Sequence, residues 1–386
     1  MRKFNPFFNG FMNIHLYHSP LTHETRIYKI TKSLVDLGIA DSIEIIGKFD
    51  EGLKHRQNID SNRALVRLAT FFKGRFIVYK ALGFIEWNIR SFIYCLFRDI
   101  KMVNAHSLTV LPLSYFICLI KRATLVYEPH ELETESSGTR GLKKKFLFLL
   151  ESLFIRKADL VYTVGEDISA FYQNSYRLEE VHTILNVPEF QSQSNLDSNI
   201  LSEKLNIPDQ DLIFIYQGLI SEARGIKVLL ASFADLPNKY HLVLLGFGPL
   251  EEMAKEYQSL HKNIHFLEAV PQEKILEYTS SADVGICYLV DDCLSYRLSL
   301  PNKLFEYMHS GLPVIINETQ KSTKSLIEEK NCGFVVNNNA IDFASSIINI
   351  SREEIQNKAL NILELRERFS WHQQENEMKE IYNGIR

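Results

Sequence analysis

Short apolar runs alternate along the chain with longer stretches in which apolar residues recur every three or four positions. The short runs are rich in β-branched and aromatic residues and predict strands, whereas the longer stretches predict amphipathic helices. Strands that alternate with helices form parallel sheets, so the pattern predicts an α/β protein. Six strands are predicted in the first half, at 13–17, 42–46, 102–105, 124–127, 160–164 and 183–185, and six in the second, at 212–216, 241–245, 263–267, 284–288, 313–316 and 333–336.

A polar stretch at 186–199 separates the two series of strands and has neither helical nor strand periodicity. The chain, at 386 residues, is also longer than the ~250 to 300 residues at which single cores stop growing. We therefore expect two doubly wound domains, over 1–187 and 188–369, with 186–199 as the linker. One large mixed sheet is the less favoured alternative, because the linker divides the strands evenly. Two such domains would place the carboxyl ends of both sheets around a cleft, where open α/β sheets bind ligands.

The composition is that of an ordinary globular protein, with 46% apolar and 23% charged residues. The five cysteines are scattered and contain no C-x-x-C pair, which indicates neither a disulfide framework nor a zinc site and fits a reducing compartment. We expect no secretion signal and no transmembrane helix, because the apolar stretches are either broken by charges or shorter than the ~20 residues that a span needs. These observations predict a cytoplasmic protein.

Charge is distributed unevenly, since residues 1–190 carry a net +5 and the rest carry −9. Aromatic and basic residues are interleaved over 63–98, and a second cationic and apolar stretch follows at 141–157. Such surfaces suit docking on an anionic membrane, although a helix that simply covers the sheet is the favoured interpretation of 146–155. Nucleic-acid binding is disfavoured, because the chain has no recognised RNA module and is acidic overall.

The segment 298–316 holds the most informative chemistry. Pro301 at a first helical position and a glycine after the last turn predict a short helix between a loop and a buried strand. The free amides near Pro301 and Asn302 suit a phosphate. Lys303 and Glu306 are three residues apart and share one face of this helix, where the carboxylate can accept two hydrogen bonds from a ribose diol. A surface ion pair between the two is the alternative.

At this segment the sequence resembles the nucleotide-sugar glycosyltransferases of the GT-B fold, especially the retaining family-four enzymes of bacterial polysaccharide and lipopolysaccharide synthesis with a P-N-K-L-F-E-Y signature. The resemblance extends to 216–226, 244–250, 282–286 and 369–371. It implies two facing Rossmann-like domains with a cleft between them, the first of which is completed by a terminal helix at 370–386. It also implies a nucleotide diphosphate sugar in the second domain, an acceptor in the first, and retention at the anomeric carbon.

The resemblance assigns the donor site residue by residue. Glu306 matches the second glutamate of the family's Glu-(seven residues)-Glu motif and is expected to contact the ribose, whereas Leu298 replaces the first glutamate. The family has two diphosphate-binding cations. Leu219 occupies the position of one and Arg224 the position of the other, so Lys303 is expected to restore the missing charge. A solvated loop charge is the alternative for Arg224. The expected donor site consists of Gly218, Arg224, Gly248, Pro301, Asn302, Lys303 and Glu306.

In the first domain, the segment 126–135 follows a predicted strand and carries His130 among four glutamates. These groups are expected at a carboxyl end of the sheet, where a cationic or hydroxyl-rich partner would offset their crowding. His130 matches the histidine that the family places near the donor sugar and the acceptor hydroxyl. Glu128, Glu131 and His106 are further candidates on the acceptor side, and a loop with a capping histidine is the alternative. The His-Glu-x-x-Glu spacing excludes a zinc-protease motif.

We therefore expect a metal-independent, hexosyltransferase-like glycosyltransferase without a cofactor, in which His130, Arg224 and Lys303 are the catalytic groups. Two cations and a helix dipole would stabilise the departing diphosphate, as a divalent ion does elsewhere. The acceptor would be a glycan or a lipid-linked molecule, and the enzyme would be cytoplasmic or peripheral on the inner face of a membrane. The alternatives are a nucleotide-sugar epimerase or hydrolase of the same fold and a non-catalytic nucleotide-sugar-binding scaffold, with which Leu219 and Leu298 are consistent.

Overall fold

The structure, a computed structural model, describes residues 12–189, 199–290 and 293–385, without the side chains of Gln272 and Glu273. The chain divides into two compact units, Met1–Leu185 with Glu375–Arg386, and Asn186–Gln374. Most of the expected linker, residues 190–198, lies outside the described residues.

The first unit is built on a sheet of eight strands flanked by helices. Its strands are β1 (Met12–Leu16), β2 (Ser42–Lys48), β3 (Arg56–Asn58), β4 (Arg63–Leu68), β5 (Ile100–Ala105), β6 (Thr124–Tyr127), β7 (Leu160–Thr163) and β8 (His182–Thr183), and its helices are α1 (Thr25–Asp36), α2 (Ile77–Leu96), α3 (Leu111–Lys121), α4 (Gly141–Ile155) and α5 (Glu166–Tyr176). The strand order is β3-β4-β2-β1-β5-β6-β7-β8. All neighbours are parallel except β3 and β4, which form an antiparallel pair at one edge.

The prediction of six strands in this half was wrong, because β3 and β4 were missed. Two arginines interrupt the apolar pattern of β4, yet both are buried. Arg63 forms an ion pair with Asp60 at 2.7 Å, and the Nε of Arg67 donates to the Pro20 carbonyl at 2.7 Å. Local polar partners thus make these side chains compatible with a buried strand.

The second unit contains a six-stranded, fully parallel sheet, and all six strands predicted in this half are confirmed. Its strands are β9 (Leu212–Leu219), β10 (Tyr240–Phe247), β11 (Ile264–Glu268), β12 (Val284–Cys287), β13 (Val314–Asn317) and β14 (Gly333–Val336), and the helices are α6 (Ile200–Leu205), α7 (Ile226–Ala234), α8 (Glu251–Leu260), α9 (Gln272–Ser280), α10 (Leu294–Arg297), α11 (Asn302–His309), α12 (Lys321–Lys330), α13 (Ala340–Ile348) and α14 (Arg352–Leu365). The last helix, α15 (Trp371–Gly384), is shared between the two units. The strand order is β11-β10-β9-β12-β13-β14. Both units therefore have the expected Rossmann-like, doubly wound α/β architecture.

Continuous apolar strands account for the core of the second unit. Phe214 and Leu242 on the sheet pack with Phe233 of α7 and Phe343 of α13 in one buried cluster. Parallel strands covered by helices on both faces require such near-continuous apolar runs, which is why this half of the pattern could be interpreted correctly.

Helix α15 begins in the second unit and passes to the first at Glu375. The Trp371 amide donates to the Pro188 carbonyl at 3.2 Å within the second unit. Further along the helix, Met378 and Tyr382 are buried, and the Tyr382 hydroxyl accepts a hydrogen bond of 2.8 Å from Asn104 within the first unit. Throughout the described ranges, no helix combines the length and apolar character needed to cross a membrane.

Candidate active site

The second sheet reverses its direction of winding between β9 and β12, which are neighbours in space but not in sequence. Loops that leave these two strands diverge, and open α/β sheets bind ligands where this happens. Gly218 lies near the end of β9, and Cys287 ends β12. Of the other expected donor-site residues, Arg224 follows β9, Pro301, Asn302, Lys303 and Glu306 follow β12, and Gly248 follows the neighbouring strand β10.

Lys303 of α11 reaches back to the end of β9. Its ammonium donates a 2.6 Å hydrogen bond to the Tyr216 hydroxyl and lies 3.8 Å from the centre of that ring. Gly218 makes this position possible, because a Cβ added there would lie 2.9 Å from the Lys303 Cε. Loss of hydration lowers the pKa of Lys303 to about 7, and the positive charge of Arg224 contributes in the same direction.

Arg224 ends the short turn Glu222–Arg224 that follows β9, and its guanidinium carbon lies 5.6 Å from the Tyr296 ring centre. Its positive charge contributes to a lower pKa of both Lys303 and Cys287. Like charges held close together are unfavourable unless an anion joins them. Pro301 is the N-cap of α11 and Asn302 is its first residue, so the amino end of this helix lies one residue from Lys303.

Glu306 lies one helical turn after Lys303 and is held by Gln217. The Gln217 amide donates to a Glu306 carboxylate oxygen at 2.5 Å, and its carbonyl accepts from the Thr279 hydroxyl at 2.6 Å. The neighbouring Tyr307 hydroxyl accepts from the Gln217 backbone at 3.1 Å and donates to the Ile286 carbonyl at 3.2 Å. Helix α11 is therefore fixed against both strands of the switch point, which orients Glu306.

Gly248 and Leu298 differ from the other donor-site positions. A Cβ at Gly248 would lie 2.4 Å from the Ile220 carbonyl oxygen, so this glycine allows two loops to approach. Its amide already donates to Glu251 at 2.7 Å. Leu298 is the C-cap of α10 and brings no acidic group to the loop before α11.

In the first unit the equivalent reversal lies between β1 and β5. His106 follows β5, and Glu128 and His130 follow β6. The Nδ1 of His106 lies 3.0 Å from a Glu128 oxygen and 3.2 Å from the Nε2 of His130, and the Nε2 of His130 lies 3.5 Å from Glu128. His106 in turn contacts His15 at 2.7 Å. The structure thus brings three of the expected acceptor-side residues into one cluster.

Glu128 is buried at the centre of this cluster. Burial opposes its charge, but Arg26, at 2.6 Å, and His106 hold the pKa of the carboxyl well below its usual range. Tyr162 also donates to Glu128, at 2.8 Å. Glu128 is therefore ionised at neutral pH, whereas burial lowers the pKa of His130 and favours its neutral, hydrogen-bond-accepting form.

The ligand atoms of His106, Glu128 and His130 lie within 4.8 Å of one another, close enough to hold one metal ion. The Arg26 guanidinium already gives the same carboxylate a positive partner. A cation is thus compatible with the spacing but is not needed to balance the charge of Glu128.

A cavity of 460 Å³, the polar cavity, opens beside His130 and is also lined by His106, Glu131 and Glu133. Glu131 is exposed and Glu133 is partly buried. The Glu133 carboxylate accepts from the Leu108 amide at 2.6 Å, and burial raises its pKa to about 8. Glu133 is thus mostly protonated at neutral pH and able to donate a proton, which the sequence interpretation did not single out.

Arg26 and Gln217 were also missed. Gln217 could have been found, because a polar residue directly before Gly218 interrupts an otherwise apolar strand. Nothing in the sequence near Arg26 points to Glu128, which is 102 residues away, so only the fold brings the two together.

Residues 211–353 match the family model of glycosyl transferases group 1. No curated protein sequence matches the chain. Among solved structures, sucrose-phosphate synthase from Thermosynechococcus elongatus is 17% identical, with a TM-score of 0.76 over 97% of this chain and 99% of that one.

Two further structures have similar folds. Anabaena HepE in complex with UDP-glucose is 16% identical, with a TM-score of 0.71 over 96% of this chain and 98% of that one. WaaG, a glycosyltransferase involved in lipopolysaccharide biosynthesis, is 13% identical, with a TM-score of 0.66 over 96% and 100%. The structural similarities confirm the GT-B fold, and the family match within the second unit confirms the expectation of a glycosyltransferase.

Proposed function

We propose that this protein is a retaining, metal-independent glycosyltransferase of the family-four type, which transfers a sugar from a nucleotide diphosphate sugar to a glycan or lipid-linked acceptor in surface polysaccharide synthesis. The observation that carries this proposal is that Arg224, Lys303 and Glu306 all lie at the switch-point end of β9, within the segment that matches group 1 glycosyl transferases. Similarity to WaaG, described as a lipopolysaccharide enzyme, supports the choice of pathway.

In the second unit, Arg224 and Lys303 bind the diphosphate and neutralise the charge that grows on it as the glycosidic bond breaks. Glu306, oriented by Gln217, accepts hydrogen bonds from the ribose hydroxyls. HepE was solved with UDP-glucose and with UDP, which supports uridine diphosphate sugars as the first donors to test.

In the first unit, His130 accepts a hydrogen bond from a sugar or acceptor hydroxyl through its neutral ring. Glu128, fixed by Arg26 and Tyr162, acts as a positioning residue for His130 and His106. Glu133 and Glu131 line the polar cavity in which the acceptor hydroxyl is bound. The exposed apolar residues of α2 and α4, together with Lys143 and Lys145, dock this unit on the anionic inner surface of a membrane.

Nucleotide release from a panel of nucleotide sugars, measured with and without polysaccharide or lipid-linked acceptors, tests the function. Acceptor-dependent release that persists in EDTA and falls about 10²- to 10³-fold in Arg224→Ala supports the proposal. Release without any acceptor would instead indicate a hydrolase or epimerase, and nucleotide binding without turnover would indicate a scaffold. NMR of the product determines whether the anomeric configuration is retained.

A further inference from the structure

A second cavity adjoins the polar cavity in the first unit. This apolar cavity has a volume of 510 Å³ and lies among α2, α3 and α4, where its apolar lining includes Phe84, Pro112, Phe146, Leu147 and Leu150. The two cavities share three lining residues, Thr109, Glu131 and Glu133. A ligand that extends past these residues would therefore meet the His130 cluster at one end and a hydrocarbon-like wall at the other.

We propose that the two cavities form one acceptor site for an amphipathic molecule, with its reacting hydroxyl in the polar cavity and the alkyl chain of a lipid phosphate in the apolar cavity. This inference rests on the proposed glycosyltransferase function and specifies its acceptor. A water-soluble glycan would leave the apolar walls of the cavity without a partner. An alkyl chain in the cavity would bury both its own apolar surface and that of the walls.

One charged residue of the apolar cavity, Lys143, can bind the phosphate of a lipid, whereas Glu131 and Glu133 lie where this cavity adjoins the polar cavity. Lys143 lines the cavity, and within the described residues it forms no ion pair. The next residue, Lys144, is instead paired with Glu135 at 2.7 Å. An ammonium beside an apolar wall is complementary to a molecule in which a phosphate joins an alkyl chain.

The outer surface of α4 continues the apolar wall. Phe146 lines the cavity and is 64% exposed, and Leu142, Leu149 and Leu153 on the same helix are also exposed. Contiguous exposed apolar surface of this kind marks membrane or ligand contact. A lipid chain that enters from this face of α4 would therefore meet apolar side chains next to the cavity.

The larger cavity between α2 and β4 does not serve this purpose. It measures 670 Å³ and is lined by Leu68, Phe72 and Ile89 among others, but it shares no lining residue with the polar cavity. We therefore assign the acceptor site to the 510 Å³ apolar cavity, because it adjoins the polar cavity beside His130, although the cavity between α2 and β4 is larger.

Quenching of tryptophan fluorescence by dodecyl phosphate that carries a nitroxide on its chain tests the inference directly. Trp87 lies on α2 between Phe84 and Asn88, which both line the apolar cavity, and Trp371 is the only other tryptophan of the chain. We expect saturable quenching that disappears in Trp87→Phe and is not displaced by inorganic phosphate alone. Quenching that rises linearly without saturation would overturn the proposal.

Two adjacent residues of α4 provide a matched pair of variants. Leu150 lines the cavity, whereas Leu149 is 58% exposed and does not line it. Leu150→Gln should weaken binding of the probe at least fivefold, and Leu149→Gln less than twofold. Equal effects of the two would mean that the probe adsorbs to the outer surface of the helix, which contradicts the proposal. Phe146→Gln replaces Leu150→Gln if the latter lowers the melting temperature.

Assays of quenching and of nucleotide release on the same variants distinguish failure of this inference from failure of the proposed function. Nucleotide release with a water-soluble acceptor but without saturable quenching would refute the lipid site and leave the glycosyltransferase intact. Saturable, Leu150-dependent quenching without turnover on any acceptor would refute the glycosyltransferase and leave an alkyl phosphate site.

Discussion

The ammonium of Lys303 faces the ring of Tyr216, 3.8 Å from its centre, and donates to the hydroxyl of the same residue at 2.6 Å. Neither contact provides a full negative charge, so burial dominates and lowers the pKa of Lys303 to about 7. Without a ligand, Lys303 is therefore less fully charged near neutral pH than an exposed lysine. A bound diphosphate would favour the charged form and raise this pKa.

Nucleoside diphosphate affinity should therefore depend on pH. Because the ligand-bound pKa of Lys303 is higher than the free one, binding takes up a proton above pH 7, and affinity should fall by up to about tenfold per pH unit between pH 7 and 9. Titration calorimetry in buffers of different ionisation enthalpy measures both the affinity and the proton uptake. Lys303→Met should remove the proton uptake, and an unchanged uptake would assign it to another group.

Glu306 should determine nucleotide affinity through the ribose. Glu306→Gln keeps the shape of the side chain but weakens charge-assisted hydrogen bonds, and a loss of about 1 to 3 kcal/mol corresponds to roughly ten- to a hundredfold weaker binding. Equilibrium binding of UDP measures this change. Glu364→Gln, at an exposed position of α14, is the control and should bind normally. Equal affinity of the two variants would exclude Glu306 from the ribose site.

Arg224 should affect turnover more than stability. Removal of one cation that stabilises a developing oxyanion typically costs about 10²- to 10³-fold in kcat. We expect a loss of this size in Arg224→Ala at saturating donor, with little change in melting temperature, because the side chain is only partly buried. Lys227→Ala removes a nearby exposed cation and is the matched control. Full activity in Arg224→Ala would show that the diphosphate is bound elsewhere.

The second sheet was predictable because its strands are mostly apolar, and isolated polar residues such as Gln217 and His241 do not break the apolar runs. The shared face of Lys303 and Glu306 could also be predicted, because residues three positions apart in one helix lie on the same side. Arg26 and Glu128 could not be paired from sequence, because 102 residues separate them and a buried arginine resembles a surface residue in any pattern. Strand β4 was missed for the same reason, because Arg63 and Arg67 interrupt its apolar pattern although both are buried.

Lys143 and Lys145 should contribute to membrane binding by the first unit. Each cation near an anionic surface contributes on the order of 1 kcal/mol, and the contribution falls with salt. Lys143→Glu with Lys145→Glu should therefore reduce sedimentation with anionic vesicles at low salt, and added salt should reduce the binding of the unmodified protein. Lys321→Glu with Lys324→Glu in α12 makes the same charge change in the second unit and should bind as before. Equal losses in both double variants would indicate a general charge effect.

The terminal helix should stabilise the first unit through Met378 and Tyr382, which are both buried. Met378→Ala should cost about 2 to 5 kcal/mol, as core truncations do. Tyr382→Phe leaves the buried Asn104 amide without its 2.8 Å acceptor and should cost about 1 to 3 kcal/mol. Lys379→Ala, between them in sequence and exposed, should cost less than about 0.5 kcal/mol.

Urea unfolding followed through Trp87, in a Trp371→Phe background, measures the first unit alone. Truncation after Arg368 removes both buried side chains and should shift this transition further than either substitution. Transfer activity would then be lost because the acceptor unit unfolds, while UDP binding by the second unit weakens much less. A truncated protein whose Trp87 transition matches that of the full chain would show that the helix is a dispensable tail.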